Sequence, residues 1–187
     1  MLSVNSISSG LLICFLFAGC GNQAKEAPVA AVHKGPVPEE GRQIESYMSE
    51  AAKVKGKLTA PYMLRYQRAD TPYAEFPHTL HVDFYNDSMK IESQLDAKYG
   101  KYLQNQNKVY LRDSVVVKNI LKGDTLHCKH LWWDQTTQKF TTDDSVAIYT
   151  KDKILFGTGM EADQDFRKYT IKHLTGSALT AAGGIPK

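Results

Sequence analysis

Between Leu80 and Gly176 the chain alternates apolar and polar residues in short segments, and polar turn clusters interrupt the alternation at near-regular intervals. Successive side chains of a β-strand point to opposite faces, so this period of two is the signature of strands wet on one side and apolar on the other. Ile91, Ser93, Leu95, Ala97 and Tyr99 fall on one side, and Lys90, Glu92, Gln94, Asp96 and Lys98 on the other. The connecting clusters, such as Asn86-Asp87-Ser88, Lys122-Gly123-Asp124 and Lys151-Asp152, are too short for parallel crossovers. The result is an antiparallel, all-β sheet. Its apolar face must be buried against another sheet, against itself, or against a lipid.

The expected strands are two short ones around a turn within 43–60, then Tyr62–Gln67, Thr79–Tyr85, Lys90–Lys98, Tyr102–Gln104, Lys108–Lys118, Thr125–Trp133, Lys139–Thr150, Lys153–Ala162 and Lys168–Thr175. Pro61 holds Ala60 extended. Apolar parity changes between Leu126 and the pair Leu131 and Trp133, which predicts a bulge in that strand. Gly157 and Gly159 predict a bent or closely packed strand. The expected interior face carries Val82, Phe84, Ile91, Leu95, Val115, Val117, Leu131, Trp133, Val146, Ile148, Ile154 and Phe156. Alternation alone does not distinguish a packed core from a face that shelters acyl chains.

At 187 residues, with 42% apolar and 23% charged residues, the chain has room for one core but not for two full domains. The formal charge of +3 is small and both signs are interspersed, which argues against a nucleic-acid partner. Residues 1–19 read as a targeting segment: the apolar run Leu11–Gly19 falls short of the ~20 residues of a spanning helix. Its ending, Leu16-Phe17-Ala18-Gly19-Cys20, resembles a bacterial lipoprotein signal, which implies that Cys20 is acylated and anchors the chain to a membrane without spanning it. Residues 20–42 read as a flexible tether and 178–187 as a disordered tail. Cys128 then remains without a partner, no disulfide is expected, and stability must come from core burial.

No catalytic constellation stands out. The pairs His78/His81 and His127/His130 are three residues apart, a spacing that places them on opposite faces of a strand, so no metal site is expected. Asp143 and Asp144 diverge for the same reason, as do Trp132 and Trp133, of which one should face inward and the other the outside or a partner. No cofactor is expected either.

Several ordered strings carry a family resemblance. Tyr73-Ala74-Glu75-Phe76-Pro77 precedes a strand ending Phe84-Tyr85-Asn86-Asp87. Leu95-Asp96-Ala97-Lys98-Tyr99, Val115-Val116-Val117-Lys118-Asn119 and Leu131-Trp132-Trp133-Asp134-Gln135 follow. Gly157, Gly159, Asp163-Gln164-Asp165-Phe166 and Gly176 complete the order. From about residue 43 to 177 the chain resembles the LptC family of lipopolysaccharide-export proteins. The resemblance implies a single twisted antiparallel β-jellyroll of the OstA/LptC-like type, open at its ends, with no covalent chemistry. It further implies a periplasmic protein of a Gram-negative bacterium, held at the inner membrane. Such a protein accepts lipopolysaccharide from an inner-membrane ABC transporter and passes it to an LptA-like jellyroll. Strand addition at the last strand, through Tyr169, Ile171 and His173, is the expected route to that partner. A soluble bridge component or a structural envelope lipoprotein of the same fold is the first rival reading. An enzyme acting on envelope glycolipid is the second.

Overall fold

In a computed structural model the described residues are 37–179. They form eleven strands: β1 (Glu39–Glu50), β2 (Lys53–Tyr66), β3 (Tyr73–Phe76), β4 (Leu80–Tyr85), β5 (Ile91–Ala97), β6 (Tyr99–Leu103), β7 (Lys108–Asn119), β8 (Thr125–Asp134), β9 (Lys139–Tyr149), β10 (Lys153–Asp163) and β11 (Tyr169–Leu179). A single 3-10 turn, Gln104–Gln106, joins β6 to β7. The signal segment, Cys20 and most of the expected tether lie outside the described residues. The rest of that expected tether is not all loop: β1 already begins at Glu39. At the other end β11 runs on to Leu179.

Every pairing is antiparallel, and the order is that of a meander folded on itself. Opposite the long strand β2 lie β4, at Gly56–Thr59, and β3, at Leu64–Tyr66. β5 and β6 lie along β7 in the same way. Each of these couples is thus one long strand broken in the middle. The breaks line up across the sheet. Gln43 of β1 has a positive φ of 50° opposite Pro61, whose missing N–H cannot join a ladder. Thr79 has φ 52°, and its N–H donates to the Lys98 carbonyl at 2.9 Å. Lys98 N–H in turn donates to the Asp113 carbonyl at 3.0 Å, where Asp113 and Ser114 both have positive φ. Further along, the β8–β9 register shifts between Cys128 and Trp132, and the β9–β10 register shifts around Gly159, whose φ is +72°. Bulges sharpen the local bend and twist, so a row of them turns a flat meander into a creased sheet whose two halves face each other.

The core lies between those halves. Val82, Leu95, Leu111, Val115, Val117, Leu126, Leu131, Phe140 and Ile148 are fully buried. The seam opposite the crease is closed by polar contacts between turns. Ser93 Oγ donates to the Gln164 carbonyl at 2.8 Å and Asn119 Nδ2 to the Asp165 carbonyl at 2.7 Å. Gln138 Nε2 donates to Glu50 at 2.8 Å. Phe166, in the β10–β11 turn, is wholly buried and stacks on Tyr169 with ring centroids 5.0 Å apart. This turn plugs part of one end of the roll.

β1 pairs only with β2, and β11 only with β10. Both are edge strands, each presenting a row of backbone groups without a strand partner among the described residues.

Candidate functional site: an apolar interior with a cleft at its seam

Of the residues expected on the interior face, Val82, Phe84, Leu95, Val115, Val117, Leu131, Trp133, Val146 and Ile148 are buried together in one cluster. Pairing explains why they share a face. Leu58, Val82, Leu95, Val117, Leu126, Ile148 and Leu155 form one cross-strand row, each directly opposite the next. Ala74, Tyr102, Val109, Trp133, Phe140, Ala162 and Tyr169 form another.

Three positions depart from the expected facing. Ile91 is exposed, because a bulge sets Phe84 opposite Ser93 but Tyr85 opposite Ile91. The skipped residue, Glu92, is buried instead, where Arg167 pairs with it. Phe156 is 40% exposed and Ile154 is only half-buried. Continuing the parity of buried Met160 and Ala162 back along β10 would place both of them inside, but the bulge at Gly159 reverses the parity. Leu155 and Gly157 are the inward residues there, opposite Ile148 and Val146.

The interior reaches the surface at the seam. A cleft of ≈ 460 Å³ lies between the tip of the β1–β2 hairpin and the β8–β9 and β10–β11 turns, lined by Met48, Phe84, Trp133, Gln135, Gln138 and Gln164 among others. Phe84 meets Trp133 edge-on at 5.1 Å and Phe140 at 6.0 Å, so the cleft floor is an aromatic cluster. Trp133 Nε1 donates to Gln164 Oε1 at 3.2 Å, and Gln135 Nε2 reaches the Met48 sulfur at 3.7 Å. The cleft is therefore apolar below and polar at its lip. Such an arrangement suits an amphiphile whose tail goes down and whose head stays in water. A second cleft, ≈ 500 Å³, opens at the crease beside Pro61 and is lined by Ile44, Glu45, Thr59, Leu80, His81 and Asp96.

The sequence of residues 43–177 matches the family described as lipopolysaccharide-assembly, LptC-related. The chain belongs to that family. LptC-related proteins are non-enzymatic, act in lipopolysaccharide transport, and are associated with the envelope of Gram-negative bacteria. A search of curated proteins gave no match. The all-antiparallel jellyroll is the fold expected of the LptC-related family.

Titratable groups in this LptC-related jellyroll sit outside the apolar cluster or are silenced within it. Burial first, and the nearby Asp144 charge second, push the Cys128 thiol up to about 12. Among the described residues no group of three or more His, Cys, Asp or Glu side chains is placed to hold a metal. His81 and His130 instead pair with carboxylates, Asp96 at 2.7 Å and Asp144 at 2.6 Å.

Of the expected partner strand, Tyr169 and Ile171 are half-buried against the core and His173 is exposed. From Lys172 onward every residue of β11 is exposed. The reading of the sequence missed β3, whose four residues are cut off by Pro77, and missed Met160 and Phe166 as core residues. Alternation gives no warning of Phe166, because the residue lies in a turn.

Proposed function

We propose that this chain is a periplasmic carrier that receives lipopolysaccharide from an inner-membrane ABC transporter, shelters its acyl chains against the inner face, and passes it on to an LptA-like jellyroll. The observation that carries this reading is the coincidence of a continuous apolar inner face, a cleft that opens onto it at Phe84 and Trp133, and an edge strand, β11, paired on one side only among the described residues. Covering each acyl CH₂ is worth about 0.8 kcal/mol, so a tail that slides under the seam gains steadily with depth. The turns across the seam are held by hydrogen bonds, each worth a net ~0.5–1.5 kcal/mol, which tail burial can offset. β11 serves the downstream partner by strand addition, with main-chain bonds giving affinity and alternate side chains giving register. Acylation of Cys20 holds the carrier at the inner membrane, and mass spectrometry of the mature N-terminus tests that anchor.

Photo-crosslinkers placed at Val82, Phe84 and Ile148 are expected to capture lipopolysaccharide in cells, whereas the outward neighbour Asp83 is not. Equal capture at Asp83 would sink the carrier reading. Crosslinkers at His173 test the hand-over, and their expected product is an adduct with the next jellyroll.

A further inference from the structure

Lipopolysaccharide is two chemistries in one molecule, and an apolar interior accounts only for the lipid. The outer face of the same strands carries the complement of a saccharide. Outward residues of β2, β3, β6, β7 and β8 place Tyr66, Tyr73, Lys101, Tyr110 and Trp132 on neighbouring strands. Tyr73 is paired with Tyr66, and Lys101 with Tyr110, which is in turn paired with Trp132. Tyr66 and Tyr73 stack at 4.6 Å, and Tyr110 and Trp132 meet at 5.0 Å. The Lys101 ammonium sits 3.7 Å from the centre of the Tyr73 ring and 3.3 Å from Glu75. Trp132 is 39% exposed, so its ring is available. Five neighbouring strands at ~4.8 Å spacing make a platform roughly 19 Å long, running across the strands.

Tyr66 and Tyr73 cover each other's planes and Tyr110 also lies parallel to His130 at 5.9 Å, so Trp132 is the ring left to offer apolar surface to the C–H faces of a sugar, and the paired charges around it offer both donors and acceptors to hydroxyls. The charges here are of that kind: Lys101 lies beside Glu75, and Lys108 lies 3.5 Å from Asp134. A bilayer-docking face would be unbalanced toward Lys and Arg, because the carboxylates among these rings would be repelled by anionic headgroups. Position adds a second argument. Trp132 and Trp133 are consecutive on β8, just before its turn, one facing out and the other lining the seam cleft. A molecule with its tails on the Trp133 side has only to turn over the β8–β9 rim for its sugars to meet Trp132.

We propose that the outer aromatic patch from Tyr66 to Trp132 binds the saccharide part of lipopolysaccharide, with Trp132 as the stacking platform, Tyr110 holding that ring in place from the neighbouring strand, and Lys101 serving the saccharide's phosphate or carboxylate groups. This rests on the carrier reading, and the test separates the two. The full-length chain, purified in detergent, is titrated with the delipidated oligosaccharide released from lipopolysaccharide by mild acid. Tryptophan fluorescence and calorimetry are the readouts. Saturable binding is expected, with Trp132→Ala and Tyr110→Ala each weakening it by about tenfold or more, or ~1.4 kcal/mol. Trp132→Phe should retain most of the affinity, and Phe156→Ser, on an outward position far along the sheet, should leave it unchanged. Absence of saturable binding overturns the inference, as does wild-type affinity in the two alanine variants. A fluorescence response to phosphatidylglycerol vesicles without one to the oligosaccharide also overturns it, in favour of a membrane surface. If the oligosaccharide does not bind but Val82 and Phe84 still capture lipid in cells, this inference falls and the carrier reading stands. Binding without interior capture gives the reverse.

Discussion

Whether the interior is closed in solution can be decided at Phe84. Its side chain is 3% exposed and meets two aromatic rings edge-on, those of Trp133 at 5.1 Å and Phe140 at 6.0 Å. Full burial of a phenylalanine side chain is worth ~1.5–3 kcal/mol, and each aromatic pair adds ~0.5–1.5 kcal/mol beyond area. Buried Phe→Ala changes accordingly cost about 3–5 kcal/mol when the void stays empty. Here the void would merge with the ≈ 460 Å³ seam cleft and admit water at its upper side, which relieves part of the cavity cost. The expected loss for Phe84→Ala is therefore about 3–4 kcal/mol. Phe84→Leu keeps most of the transfer term and loses both edge contacts, so about 1–2 kcal/mol is expected. Urea unfolding measures both, provided that two probes give coincident transitions. With a slope of ~1–3 kcal/mol per molar urea, the alanine midpoint falls by at least about 1 M. A loss below about 1 kcal/mol for Phe84→Ala would refute the reasoning, since Phe84 would then already be wet and the two halves of the sheet would stand apart.

Three further perturbations test other parts of the fold. A Cβ added at Gly157 would lie 2.3 Å from Ile171 Cγ2 and 2.7 Å from the His173 carbonyl oxygen, so Gly157→Ala should cost ~1–3 kcal/mol. It should also speed hydrogen exchange along β11 while β7 and β8 stay protected, and unchanged β11 exchange would contradict the contact. Burial disfavours the charged form of His81, but Asp96 at 2.7 Å and Asp83 at 3.1 Å outweigh it and raise the pKa. A raised folded-state pKa gives stability that is full below the ordinary histidine value of ~6.5 and is lost as pH rises through the folded value. Melting curves of His81→Gln should therefore depend less on pH than wild type above about pH 6.5, and parallel curves would rule the pairing out. Cys128, with its thiol pushed up to about 12, should react slowly with a thiol reagent in the folded chain and quickly once unfolded, as timed by absorbance. Equal rates would place it at the surface.

The faces of the long strands were legible wherever alternation ran unbroken. Val82 and Phe84 on β4, Val115 and Val117 on β7, and Val146 and Ile148 on β9 all point inward as their spacing says. The bulge in β8 was legible too, because the parity of Leu126 and Leu131 differs, and the pairing shifts between Cys128 and Trp132. What the pattern hid is any bulge that falls in an uninterrupted apolar or polar run. Ile154-Leu155-Phe156 is apolar throughout, so nothing local states which residues face in, and the choice is made by Gly159. Ile91 is likewise turned out by the bulge at Glu92. Pro61 looked like the end of a strand, yet β2 runs through it, because the crease leaves its position out of both flanking ladders. The outer aromatic row was hidden for another reason. Tyr66, Tyr73, Tyr110 and Trp132 come from separate segments, and only register sets Tyr66 beside Tyr73 and Tyr110 beside Trp132.

Creasing also decides which edge is free to bind. A sheet bent by a row of bulges folds over without joining its first strand to its last, so β1 and β11 both remain edges. The two are not equivalent. Along β1 stand Glu39, Glu40, Arg42, Glu45 and Glu50, and charges of this density discourage a foreign strand from pairing, because it would have to desolvate or oppose them. β11 has Lys172 as its one residue charged at all ordinary pH values, and it ends in Gly176-Ser177-Ala178-Leu179, with Leu174 and Leu179 exposed. It is long, fully exposed over its second half, and without proline. Among the described residues it is the less protected of the two edges, the kind to which another strand can add. That asymmetry, more than position in the chain, is what supports β11 in the downstream contact proposed above.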